Sequence, residues 1–201
     1  MKNIGLILLT TLALMLSCKA QEIVNLNTFN DGNNEGKYFK DLNNNFTPYL
    51  GVWEWQNGNQ TFRVTLWKVE MEEHENGNRP SYYIDIIQGH YNMVQQGQPG
   101  SPIEETVYTS QKKIGNTITD WFPVIRVYAY DNNQCGGTVY DNSAEGYPNY
   151  PMGIRGGLKL NLIQGIPLQM EWKVTLPEGM YGNDQPTEFN IPTDIILTKV
   201  E

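Results

Sequence analysis

The chain is poor in the residue types on which most metal proteins, thiol enzymes and nucleic-acid-binding proteins depend. It has two cysteines and two histidines in 201 residues. Neither His74 nor His90 has a neighbour at a metal-ligand spacing, so we expect no metal and no other cofactor. Lysine and arginine total 14 against 22 acidic residues, a net charge of −8. A surface of that sign repels phosphate backbones, which argues against nucleic acid as a partner.

The chain also lacks a transmembrane pattern in its apolar N-terminal segment. The run from Ile4 to Leu16 covers 13 residues, whereas a membrane-spanning helix needs about 20. Lys2 supplies a positive charge ahead of the run, as in a secretory signal. The run ends in Met15-Leu16-Ser17-Cys18, which resembles a bacterial lipobox. The resemblance implies a signal peptide over 1–17 and a lipid attached to Cys18.

An alternative cleavage site follows Ala20, which gives a signal peptide over 1–20 and a secreted or periplasmic protein. Lipidation at Cys18 instead predicts an exported lipoprotein of the cell envelope, held on the outer membrane by its acyl chains. In both cases Cys135 is left without a partner for a disulfide within the chain. The folded domain must therefore be stabilised by burial of its core.

Asparagine, glycine and aromatic residues are abundant and point to an all-β protein with many turns. The Asn-rich segment 18–47 predicts a flexible tether. Within it, the spacing of Tyr38, Phe39 and Leu42 suits one short helical turn. From 48 to 201 the pattern is that of a single β domain.

Alternation with period two dominates this domain. Trp53 and Trp55 share one face of the first strand, and Asn57-Gly58 predicts a type I′ hairpin turn. The residues from Leu168 to Leu176 alternate between apolar and polar over nine positions, which predicts one buried and one wet face. About nine to ten strands joined mostly by hairpins favour an antiparallel up-and-down β-barrel, with a β-sandwich as the alternative.

The Gly51-Val52-Trp53 motif is similar to the Gly-x-Trp that opens the first strand of lipocalins and related calycins. That resemblance implies a lipocalin-like barrel in which a basic residue of the last strand, here Lys199, covers the tryptophan and helps to close the barrel. Together, the Ser-Cys-Lys-Ala-Gln ending, the Gly-x-Trp-Glu-Trp strand and the terminal Ile-Leu-Thr-Lys strand resemble a family of uncharacterised lipoproteins from Bacteroidetes. That family brings no function with it.

The candidate functional residues are aromatic side chains, which either line a ligand cavity or fill the barrel as packing. They are Trp53, Trp55, Phe62, Trp67, Tyr82, Tyr128 and Trp172. The first function they suggest is non-catalytic binding of a small apolar or glycan ligand. The alternative is a structural or protein-interaction module of the envelope with a filled barrel, and the oligomeric state is left open.

An enzyme is not expected from this sequence. No serine lies in a Gly-x-Ser-x-Gly elbow, and no catalytic residue is assigned. The remaining enzymatic alternative is a hydrolase that uses paired carboxylates on strands. The candidates for such a pair are Glu54, Asp85, Glu171 and Asp194.

Overall fold

The described residues form β-strands and two short 3-10 helices. The computed structural model describes residues 21–29, 32–76, 79–97, 104–111, 123–129, 131, 133–143, 152–179 and 184–201. Cys18 and the predicted signal peptide lie outside these residues. The strands are β1 (Glu22–Asn25), β2 (Lys37–Lys40), β3 (Gly51–Asn57), β4 (Gln60–Asn76), β5 (Arg79–Gln95), β6 (Glu105–Thr109), β7 (Ile125–Ala129), β8 (Gln134–Asp141), β9 (Ile154–Ile163), β10 (Gln169–Thr175) and β11 (Asp194–Lys199). The 3-10 helices are η1 (Leu26–Thr28) and η2 (Thr47–Tyr49).

Eight of these strands close into an antiparallel barrel in the order β3-β4-β5-β7-β8-β9-β10-β11, with β11 returning to β3. Neighbouring strands in the barrel follow one another along the chain apart from the short β6, so the arrangement is up-and-down. The predicted fold class is therefore confirmed. The described residues form eleven strands rather than nine or ten, because β1, β2 and β6 add short pairings beside the barrel.

The two ends of the barrel are formed by different strand ends, and they are called the base and the mouth. The base is the end at which β3 begins and β11 ends, where Gly51 and Lys199 lie and where η2 leads into the first barrel strand. The mouth is the opposite end, at the β3–β4 hairpin, the end of β8 and the beginning of β11. Asn57, Asp141 and Asp194 mark it.

One edge of strand β5 pairs with three different strands along its length. From base to mouth these are β2 at Tyr83 and Ile84, β7 from Ile87 to Gly89, and β6 from Asn92 to Gln95. The β5–β7 pairing that closes the barrel has three residue pairs. On the outer face, the carboxylate of Glu72 in β4 reaches across this seam to accept hydrogen bonds from Gln88 and Arg126.

The predicted flexible tether differs from the structure over 21–29 and 32–47. Strands β1 and β2 pair in parallel, and β2 pairs in parallel with β5. Leu26 is fully buried, and the ring of Phe39 packs edge-on against Phe29 and Tyr82 at centroid distances of 5.0 and 5.9 Å. Asparagine marks turns here, while a few apolar residues fix the segment by burial. The predicted helical turn at Tyr38, Phe39 and Leu42 is also wrong, since β2 occupies that position.

The alternation along β10 is as predicted: Met170, Trp172 and Val174 are buried, and the residues between them are half-buried or exposed. The first hairpin is also present, but its turn is displaced by one residue. Asn57 pairs with Gln60, so Gly58 and Asn59 form the loop. Only Gly58 has a positive φ, +62°. A positive φ at the first loop residue alone fits a type II′ turn rather than type I′.

Candidate functional site

The predicted aromatic residues do not form one group. Trp53, Phe62 and Trp172 are fully buried inside the barrel, and Trp55 is half-buried towards the mouth. Trp67, Tyr82 and Tyr128 lie outside the barrel interior.

Trp67 and Tyr128 lie on outer faces of their strands, which corrects their assignment to the interior. In β4 the buried positions are Phe62, Val64 and Leu66, so alternation turns Trp67 outward. Its ring lies 5.4 Å from that of His90. In β7 the buried residues likewise alternate with Tyr128. Tyr82 is buried, but in the aromatic cluster beneath β2 rather than in the barrel.

At the base, Trp53 is held from two sides. Its indole Nε1 donates to the carbonyl of Tyr49 at 2.7 Å, and Lys199 Nζ lies 5.4 Å from the ring centroid. The same ammonium group donates to the carbonyl of Pro48 at 3.2 Å, and burial lowers the pKa of Lys199. Gly51 has φ +115°, and a Cβ there would lie 2.0 Å from the carbonyl oxygen of Glu201. The glycine and the tryptophan of the motif therefore serve the closure of the base.

The interior above Trp53 is filled by rings and aliphatic side chains. Phe62 contacts Trp172 and Tyr91, each at a centroid distance of 5.6 Å. These are ordinary packing geometries for aromatic pairs. Cys135 is fully buried in the same core, and burial raises the pKa of its thiol. A thiol that remains protonated is a poor nucleophile, so a structural role fits Cys135.

The mouth is occupied by the segment 188–193, which enters it ahead of β11. Ile191 is buried and Phe189 is half-buried against the core. A Cβ on Gly156 would lie 3.0 Å from the ring of Phe189, so glycine at this inward position leaves room for the ring. Trp172 Nε1 donates to the carbonyl of Pro192 at 2.8 Å. We call residues 188–193 the mouth segment.

The carboxylate of Asp141 fastens the mouth segment to β8. Its Oδ2 accepts the backbone N–H groups of Asn190 and Ile191 at 2.6 and 3.2 Å. Its Oδ1 accepts the backbone N–H and the hydroxyl of Ser143 at 3.1 and 2.5 Å, and the hydroxyl of Tyr91 at 3.3 Å. The side chain is fully buried. A buried carboxylate with five donors is satisfied as an acceptor and holds its neighbours in place.

A second buried carboxylate, Asp85 in β5, holds the segment around β2 at the base end of the barrel. It accepts from the hydroxyl of Tyr38 at 2.5 Å and from the backbone N–H groups of Asp41 and Met71 at 3.0 and 3.2 Å. Lys68 Nζ lies 3.0 Å from its Oδ2. Burial by itself raises the pKa of Asp85, but these donors outweigh it and hold the pKa below its ordinary value of 3.8.

One pair of side chains resembles part of a catalytic constellation. His90 Nδ1 lies 3.2 Å from the hydroxyl of Ser110, and that hydroxyl also accepts the backbone N–H of Tyr91 at 2.9 Å. Both side chains are buried, and burial lowers the pKa of His90. The Ser110 hydroxyl hydrogen-bonds to β5 just beyond the last residue pair of the β5–β6 ladder. It therefore extends the connection between these two strands, which is a structural role.

The four strand carboxylates are each engaged by a different neighbour. Glu54 pairs with Arg63 at 2.6 Å, and Asp194 lies 3.8 Å from Lys173. Glu171 accepts from the amide of Asn161, and Asp85 has the partners given above. Over the residues that the structure describes, no group of three or more His, Cys, Asp or Glu side chains is placed to hold a metal. In that part of the chain no helix has the length and apolar character to cross a membrane.

Sequence alone missed Asp141 and Tyr49, and it offered Asp85 only as a candidate for a catalytic pair of carboxylates. The hydroxyl of Tyr49, at the base, is the one buried side-chain polar atom in the described part of the chain that has no hydrogen-bond partner. Burial raises its pKa. The partners of Asp85 and Asp141 include residues 44 to 50 positions away, so no local pattern marks these carboxylates.

A family model described as "Family of unknown function (DUF6705)" matches residues 1–200. The chain belongs to this family. No curated protein and no solved structure matches it. Membership of DUF6705 agrees with the predicted likeness to an uncharacterised family, while the lipoprotein and lipocalin resemblances stay predictions.

Proposed function

We propose that the protein is an exported lipoprotein, anchored through Cys18, whose barrel is filled by its own side chains and which acts without catalysis through its outer surface. This is the structural or protein-interaction alternative among the functions expected from the sequence. The packing of the interior carries the proposal. Phe62 contacts both Tyr91 and Trp172, and in the mouth segment Ile191 belongs to the same core while Phe189 packs against it.

The barrel interior is occupied by the protein's own side chains. Side chains inside a small eight-stranded barrel either fill it or leave room for one small ligand. Here the inward positions carry large residues that are almost fully buried, and they belong to one continuous core. Ligand pockets have volumes of about 300 Å³ or more, and opening one inside the barrel would require the mouth segment to leave its hydrogen bonds with Asp141 and Trp172.

Replacement of Cys18 by alanine tests the anchor. We expect Cys18→Ala to move the protein from the membrane to the soluble fraction of its host, because the acyl chains supply the attachment. Cys135→Ala is the matched control, since it removes the other cysteine and should leave the protein on the membrane. Membrane attachment of the Cys18→Ala variant would refute the anchor.

Native mass spectrometry of protein purified from its host tests the filled barrel. The expected mass is that of the mature chain plus its acyl chains. A further small molecule that survives gentle ionisation and leaves on collisional activation would contradict a filled interior.

A second function, binding of a small apolar or glycan ligand at the mouth, is supported by one observation. Trp55, Tyr108 and Phe189 are half-buried near the mouth and pack against the core from there. Half-exposed rings of this kind suit apolar ligands and sugar faces. Saturable quenching of tryptophan fluorescence by a ligand, lost in Trp55→Ala but retained in Trp67→Ala, would favour this second function over the first.

A further inference from the structure

The position of β1 determines which end of the barrel is nearest to Cys18. β1 and β2 run parallel to β5, and Glu22 pairs with Lys37 at the beginning of β2. Because β5 runs from base to mouth and β2 pairs with it at Tyr83 and Ile84, Glu22 lies at the base end. The first described residues therefore lie at the opposite end from the mouth segment.

The length of chain between Cys18 and β1 is too short to reverse this arrangement. Four residue steps separate Cys18 from Glu22 (22 − 18) and span at most about 14 Å. Gln95, at the mouth end of β5, is twelve steps beyond Tyr83 (95 − 83), which is about 40 Å along the strand and about 30 Å along a barrel axis at the usual tilt. A lipid attached to Cys18 can reach the base but not the mouth.

We infer that the base of the barrel lies against the lipid bilayer and that the mouth faces away from it. This inference rests on the proposed lipid anchor at Cys18. It assigns the base as a membrane-facing surface and the mouth, with its half-buried aromatic residues, as the surface presented to other molecules of the compartment.

The distribution of exposed apolar side chains agrees with this orientation. Eight large hydrophobic residues of the described chain are exposed. Six of them lie in the base half: in β1, before η2, in β4 where its register with β5 shifts between Val69 and Glu72, at the end of β9, in the β9–β10 turn and directly after β11. They are Ile23, Leu42, Met71, Ile163, Ile166 and Val200. The net charge of −8 gives no attraction to anionic lipids, so we assign membrane attachment to the acyl chains. We assign the orientation of the barrel to the short stretch of chain between Cys18 and Glu22.

Energy transfer from the protein to the bilayer tests the orientation. The full lipidated chain is reconstituted in phosphatidylcholine vesicles that carry a rhodamine headgroup lipid as acceptor. A thiol-linked donor is placed by Leu42→Cys at the base or by Val107→Cys near the mouth, two positions with matched exposures of 52% and 49%. Cys135 is buried and should take up no donor, and the unsubstituted chain measures any background labelling.

The expected distance of closest approach to the bilayer is shorter for the donor at position 42 by about 20 Å or more, given the height of the barrel. Equal distances, or a shorter distance at position 107, would overturn the orientation while leaving the anchor intact. If the unsubstituted chain floats no better with vesicles than Cys18→Ala does, the anchor fails and this inference fails with it. Transfer between donors at position 42 at high lipid dilution would show that a second copy covers the base, which also overturns it.

Discussion

At the scale of single residues, two buried carboxylates accept the hydrogen bonds that hold irregular segments against the barrel, where no strand pairing is available. Asp141 accepts backbone N–H groups of Asn190 and Ile191, and Asp85 accepts that of Asp41, all of which lie outside the strands; each carboxylate also accepts a tyrosine hydroxyl. A buried carboxylate that lost these donors would be left uncompensated, which is costly. Each side chain therefore fixes an irregular segment at one end of the barrel.

Replacement of Asp141 by asparagine should loosen the mouth segment. The variant keeps the shape but loses the charge, and its amide group presents donors where N–H groups already point. We expect the free energy of unfolding in urea to fall by about 2 to 4 kcal/mol. Hydrogen exchange at Asn190 and Ile191 should accelerate more than exchange in β9.

Asp131→Asn is the matched control, because Asp131 also accepts two backbone N–H groups but is exposed. Its loss should cost about 1 kcal/mol or less, since water can replace the lost acceptor. Equal costs for the two variants would mean that burial adds nothing to the role of Asp141.

Sequence predicted the residues of the base better than those of the mouth for a physical reason. Gly51 and Trp53 belong to one short motif, and its glycine is required by local backbone conformation and close approach. Asp141 owes its role to residues about 50 positions distant. Trp67 and Trp53 are the same residue type on neighbouring strands, and only their place in the alternation separates an outer from an inner position.

At the scale of elements, the close approach of β7 and β8 requires a residue without a side chain. Gly137 in β8 pairs with Val127 in β7, and a Cβ there would lie 2.2 Å from the carbonyl oxygen of Arg126. That distance is far inside van der Waals contact, and the obstacle is backbone, which cannot move without disturbing β7. The close approach of β7 and β8 thus depends on a missing side chain.

Replacement of Gly137 by alanine should therefore destabilise the barrel. We expect a loss of about 2 to 3 kcal/mol in the free energy of unfolding, as for other overpacked sites. The neighbouring Gly136→Ala is the control, because its nearest heavy atom would lie 3.9 Å away. That variant should be neutral or slightly stabilised. A Gly136→Ala variant as unstable as Gly137→Ala would show that the effect is not steric.

The strand pattern was readable because apolar and polar residues alternate with the period of a strand, and β10 is the clearest case. The fate of 21–47 was not readable from composition. Its asparagines suggest a tether, yet Leu26, Phe39 and Phe46 are buried and bind it to the barrel. Composition averages over a segment, whereas a few fully buried side chains decide whether that segment packs.

At the scale of the whole molecule, the base is closed by contacts that join the beginning and the end of the barrel. The ammonium group of Lys199, from β11, lies over the ring of Trp53 on β3. The indole N–H of Trp53 donates to the carbonyl of Tyr49, which precedes β3. Trp53→Ala should cost about 3 to 5 kcal/mol in the free energy of unfolding, because it leaves a large cavity where these elements meet.

Trp67→Ala is the matched control for this measurement. Trp67 lies half-buried on the outer face of β4, beside His90. Its loss should cost about 1 kcal/mol, and thermal unfolding of the two variants compares them directly. A Trp53→Ala variant as stable as Trp67→Ala would place the indole outside the structural core.

The pairing of β3 with β11 also has a consequence for biogenesis. All other neighbours in the barrel wall are close along the chain, but this last seam joins residues that are nearly 150 positions apart. As the chain emerges during synthesis, it can pair one hairpin after another, but two sheet edges stay unpaired until the final strand is made. An incomplete chain of this protein is therefore prone to edge-to-edge association, and that tendency ends when β11 pairs with β3.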